Sequence, residues 1–120
     1  MKATRKRTRE VFRWHDRVFP PPRDLPVRLV LHDSLEEDFG YVEWDDDEKR
    51  AVELHVSLEH DQAVINATLN HEWAHVRDPE TGDKWGRHDS DFDERLGQIE
   101  RRWVEEGGSE ESKWTKGVRR

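Results

Sequence analysis

Residues His71-Glu72-Trp73-Ala74-His75 form an H-E-x-x-H pentapeptide, the stretch whose residue types and spacing could most directly do chemistry. On an α-helix, positions i and i+4 share a face, with their Cβ atoms about 5–6 Å apart. That separation lets two imidazoles hold one Zn2+ ion at about 2.0–2.1 Å each. Glu72 then points about 100° round the helix, beside the metal and not onto it. A carboxylate so placed can take a proton from an attacking water, the general-base role in zinc proteases. A chain with seven His and 28 acidic residues can also contain this pattern by coincidence, so its surroundings decide.

Catalytic zinc takes three protein ligands and keeps a fourth position open. The third must come from an element folded back across the helix. His88 fits, because the 12 residues after His75 allow a reversal and a helix start would hold it in place. Read alone, His88 could equally be an ordinary loop histidine. The longer spacing H-E-x-x-H-x-x-G-x-x-H fails, since its Gly and His would fall on Asp78 and Thr81. Glu94 is the alternative carboxylate ligand. Imidazole is preferred, because Zn2+ takes it readily and Glu94 is one of many surface acids.

The elements that must position these groups follow from periodicity. Residues 5 to 19 suit a helix with Val11, Trp14 and Val18 on one face, ended by Pro20-Pro21-Pro22. After Pro26, Val27, Leu29 and Leu31 alternate with Arg28, Val30 and His32, a strand pattern. Phe39 to Trp44 reads as a second strand, and Asp45-Asp46-Asp47-Glu48 as a turn. Arg50 to Ser57 is a third strand, with Val52, Leu54 and Val56 inward and Glu53, His55 and Ser57 outward. The last two strands should pair as an antiparallel hairpin.

Asp61 is placed to cap the next helix, along which Ile65, Leu69, Trp73 and Val76 make a buried stripe. His71 and His75 lie well away from the centre of that stripe, on a more exposed face. Histidines that serve only as packing would more often sit within it. Pro79 ends the helix near Asp78, and a loop with Gly82 and Gly86 follows. Ser90 with Asp93 marks the start of a last helix, with Phe92, Leu96, Ile99 and Trp103 as its stripe. Gly107-Gly108 should end it, leaving a disordered tail.

Composition narrows the class. The 120 residues suit one domain, and with 32% hydrophobic and 41% charged residues its core must be small. Six Trp compensate, since each buries a large area. The absence of Cys excludes disulfides and thiolate metal sites. No apolar run approaches the roughly 18 residues of a membrane span, and no signal-peptide core follows the basic start. A soluble, cytoplasmic protein with no membrane partner is expected. Net charge is −7, yet five of the first nine residues are basic, and so are Lys113, Lys116, Arg119 and Arg120. Such ends suit nucleic-acid arms or merely solvated tails, and no aromatic stacking motif accompanies them.

The pentapeptide, a short loop and then His88-Asp89-Ser90-Asp91-Phe92 before an amphipathic helix resemble the SprT-like zinc metallopeptidases. That family pairs H-E-x-x-H with a downstream H-G-x-x-F, and the likeness is nearest to its short, single-domain bacteriophage members. It covers about residues 25 to 104. The family glycine after the third histidine is Asp89 here.

The resemblance implies that His71, His75 and His88 bind Zn2+ and that Glu72 is catalytic in hydrolysing peptide bonds of a protein or peptide substrate. For a phage-encoded protein the compartment would be the host cytoplasm. The expected fold is α+β and zincin-like: a small antiparallel sheet of about three strands with an N-terminal, an active-site and a C-terminal helix. Residues 1–24 would be a basic arm or helix with a Pro-rich linker, 25–106 the peptidase core, and 107–120 a basic tail. The resemblance also implies a sheet edge that aligns an extended peptide. Tyr41, His55 and Arg87 are open candidates for stabilising the oxyanion. The competing expectation is an inactive, zinc-stabilised binding or scaffold protein, or one associated with nucleic acid.

Overall fold

Runs of alternating apolar residues become strands and runs of helical period become helices in the computed structural model, which describes residues 2–36, 38–78 and 87–106. The order is helix α1 (Arg5–Val18), a single 3-10 turn (Pro22–Asp24), strands β1 (Arg28–His32), β2 (Gly40–Asp45) and β3 (Arg50–Ser57), then helices α2 (Gln62–Val76) and α3 (Ser90–Glu105). Among the described residues, three helices and a small three-stranded sheet make an α+β fold. The stretch 79–86 with Gly82 and Gly86, expected as a loop, and the stretch 107–120 with Gly107 and Gly108, expected as helix end and tail, lie outside the described residues.

The sheet is mixed and not wholly antiparallel as expected. Its order is β1-β3-β2. Strands β2 and β3 form the predicted hairpin, and Asp45 organises its turn by accepting from the Asp47 and Glu48 amides. That hairpin occupies one edge of β3, so β1 takes the other. Two chain reversals separate β1 from β3, which leaves them parallel, with Arg28 opposite Glu53 and His32 opposite Ser57.

The face carrying Leu54 and Val56 packs on α2, where Ile65, Leu69, Trp73 and Val76 are all buried. His55 and Ser57, expected outward, are buried too, because β3 is the middle strand and Tyr41 from β2 lies flat on His55. Val52, expected inward, is only half-buried.

Helix α1 belongs to the same core. Thr4 caps it by accepting from the Arg7 amide, and Val11 is buried on α2. Val18 is only half-buried; His15 takes the inner position instead. A polar seam joins the two helices. Gln62 accepts from the Thr4 amide and donates to Thr8 Oγ1 and Asn66 Oδ1. His15 touches the Val11 carbonyl through Nδ1 and the Asn70 side-chain amide through Nε2. Asp61 stands at the cap position of α2 without a side-chain capping bond, and pairs by its backbone with Lys2.

Helix α3 brings Phe92, Ile99 and Trp103 into the core, with Leu96 half-buried. Its cap is Asp89, not Ser90: the Asp89 carboxylate accepts from the Phe92 amide at 3.0 Å. Trp14, Trp73, Trp103 and His15 meet where the three helices converge, with Trp14 edge-on to Trp103 at 5.0 Å. Among the described residues, no helix is long and apolar enough to cross a membrane.

Candidate metal centre

The C-terminal half of α2 carries His71, Glu72 and His75, and α3 folds back across it. The histidine face is therefore less open than its position opposite the stripe suggests: His75 is buried and His71 half-buried. Arg95 of α3 fastens this crossing. Its Nε donates to the Ala74 carbonyl at 3.0 Å, and its guanidinium pairs with the buried Asp78 at 3.4 Å. The same crossing delivers His88, two residues ahead of α3, to the two helical histidines.

The three rings are 4.9–5.2 Å apart, centroid to centroid. His75 Nε2 and His88 Nε2 approach to 3.0 Å, and one nitrogen from each ring lies within 4.8 Å of the others. Phe92 forms a floor beneath them, 4.5 Å from His75, 4.7 Å from His88 and 5.0 Å from His71. Glu94, the carboxylate alternative, is exposed and outside this group. Asp89 has its carboxylate on the Phe92 amide, so its role here is that of a helix cap.

The electrostatics follow from burial. Desolvation, then the neighbouring His71, His88 and Arg95, lowers the His75 pKa to about 4. Burial and then His88 lower His71 as well. Both imidazoles are thereby kept neutral, the form that donates a lone pair to a metal. Glu72 is partly buried, and desolvation followed by the negative charge of Asp38 raises its carboxyl to about 7. Three converging imidazoles with no thiolate form a donor set that fits a borderline divalent ion such as Zn2+.

The oxyanion candidates separate. Tyr41 and His55 stack on each other on the side of the sheet turned away from α2, since strand residues alternate and Gly40 faces Thr68 of α2. Arg87 is exposed next to His88. Sequence reasoning placed Phe92 in a packing stripe and in the motif after His88, not beneath the histidines, and gave no role to Arg95 or Asp78. Nor did it give a role to Asp38. Their signal is weak in the sequence, because each acts through a tertiary approach. No protein-family model, curated protein or solved structure matches this chain.

Proposed function

We propose that this chain is a zinc-dependent peptidase, with His71, His75 and His88 as metal ligands and Glu72 as general base. The observation that carries this reading is the convergence of three imidazoles from α2 and the start of α3, directly beside Glu72 on the same helix. Bound there, zinc would supply Lewis acidity, polarising a scissile carbonyl and making a water acidic near neutrality. Glu72 takes the proton from the attacking water and passes it to the leaving amine.

Strand β2 suits the alignment of an extended substrate. It is an edge of the sheet, and its first residue Gly40 packs on Thr68, one turn before Glu72 on α2. A peptide added along this edge by main-chain hydrogen bonds would be led towards Glu72. The compartment in this reading is the cytoplasm. A role for the basic start in nucleic-acid binding has less support, since Arg5 and Arg7 are paired with Asp33 and Glu10.

The test is Glu72→Gln, assayed for zinc content and for cleavage of an unfolded protein substrate by mass spectrometry. Zinc retained with cleavage abolished is the expected result; undiminished cleavage would remove Glu72 from the mechanism. A second reading is favoured by the site joining α2 to α3: an inactive protein that uses zinc to hold two helices together. Zinc-dependent stability without cleavage of any substrate by the wild type would decide for it.

A further inference from the structure

A second set of metal-ligating side chains converges on the outer face of the sheet, away from α2: Glu43 of β2 with Glu53 and His55 of β3. Strand register produces it. Glu43 and Glu53 are direct partners across the antiparallel pair, and His55, two residues on, points to the same side.

The His55 ring is held in place. It is nine-tenths buried and lies between Tyr41, stacked 4.3 Å away and nearly parallel at 7°, and His32 of β1. His55 Nδ1 meets His32 Nε2 at 2.8 Å. Its other nitrogen, Nε2, faces the two carboxylates, at 3.1 Å from Glu53 Oε1 and 3.7 Å from Glu43 Oε2. Arg28 pairs with Glu53 Oε2, which leaves Oε1 directed at the imidazole.

Like charges directly opposite across two strands repel, so a cation between Glu43 and Glu53 is favoured. A proton on His55 Nε2 can serve one carboxylate well; a divalent ion serves both and uses the nitrogen lone pair. Metal-ligating histidines generally donate their second ring N–H to an acceptor that fixes the tautomer. His32 Nε2 is placed to be that acceptor.

We propose that Glu43, Glu53 and His55 form a second divalent-cation site, for an ion that accepts one imidazole and two carboxylates, such as Zn2+ or Mn2+. It would fasten the edge strand β2 to the central strand β3. The site shares no residue with the centre on α2 and does not depend on peptidase activity.

The test uses the full chain with His71→Ala and His75→Ala together, stripped of metal and titrated with Zn2+ against a chromophoric chelator. One equivalent of zinc and a zinc-dependent rise in Tm are expected. Adding the exposed Glu43→Gln should weaken that binding at least about tenfold and remove the Tm rise. His32→Gln should weaken it about 10–100-fold, as loss of an orienting partner does. No saturable uptake in the double variant, or uptake unchanged by Glu43→Gln, overturns the proposal. Should the double variant not fold, the wild type decides. A second zinc equivalent lost in Glu43→Gln upholds the site, and a stoichiometry that Glu43→Gln leaves unaltered overturns it.

Discussion

His75 Nε2 and His88 Nε2 lie 3.0 Å apart, one from the last turn of α2 and the other from just ahead of α3. A tetrahedral zinc ion with nitrogens at about 2.0–2.1 Å sets those nitrogens about 3.3 Å apart. The pair therefore needs to open by only a few tenths of an ångström to accept the ion. Metal-free, the two lone pairs face each other over a shared proton at best. Removing either ring should thus be felt first in metal affinity and only secondarily in folding.

His88 is exposed, so His88→Ala should leave the fold intact while zinc affinity falls sharply. The loss should exceed the roughly 10–100-fold that follows removal of a mere orienting partner. Elemental analysis of purified protein and competition with a chelator measure it. Equal zinc content in wild type and variant would exclude His88 as a ligand.

Asp89 ties the start of α3 by accepting from the Phe92 amide. Asp89→Ala should cost about 1 kcal/mol of stability, the usual loss for an N-cap, whereas Asp89→Asn should cost far less. Urea unfolding of the three proteins compares them. Because His88 precedes the cap, zinc affinity should follow the same order.

A Cβ at Gly40 would lie 2.6 Å from the His55 carbonyl oxygen and 3.0 Å from Thr68 Cγ2. One of these atoms is backbone, so the strand itself has to move. Gly40→Ala should destabilise by about 1–3 kcal/mol, as overpacking does. Gly97 has open space around the same position, and Gly97→Ala in helix α3 should instead stabilise by about 0.5–1 kcal/mol. Thermal unfolding of both variants checks the opposite signs.

His15 is fully buried, and desolvation lowers its pKa against the smaller opposing effect of its bonds to Val11 and Asn70. The folded state thus prefers the neutral ring, while the unfolded chain takes up a proton near pH 6.5. Its contribution is complete above that pH and is lost as pH falls towards the lower, folded pKa. Between pH 7 and 5.5 the metal-free protein should lose stability, His15 contributing at most about 1.4 kcal/mol per pH unit. In His15→Gln the decline should be shallower. Urea melts at several pH values give the slopes, and parallel slopes would count against the assignment.

How far the fold was legible depends on whether a residue acts along its own element or across two. The stripe of Ile65, Leu69, Trp73 and Val76 and the alternation in β3 follow from period alone, so helices and strands emerged close to their observed bounds. Alternation tells which side of a strand is apolar and says nothing of its neighbours. The parallel place of β1 and the burial of His55 were therefore hidden. Spacing put His71 and His75 on one face of a helix, but whether that face is open depends on α3 folding over it. Ser90 and Asp89 are equally good caps by residue type, and only backbone geometry separates them. The floor provided by Phe92 and the approach of Asp38 to Glu72 are tertiary facts with no local signature.

The indole N–H of Trp73 donates to the Phe19 carbonyl, at the end of α1, over 2.8 Å. Trp73 sits between Glu72 and Ala74 in the pentapeptide itself, so the helix of candidate ligands is braced from behind by the N-terminal segment. Shortening the chain to begin after Pro22 would strip that acceptor, the Val11 and Phe12 packing and the His15 partner of Asn70 in one step. The basic helix α1 is therefore an integral part of the packed core. Residues 25–106 expressed alone would be missing the back wall of the helix that carries His71 and His75.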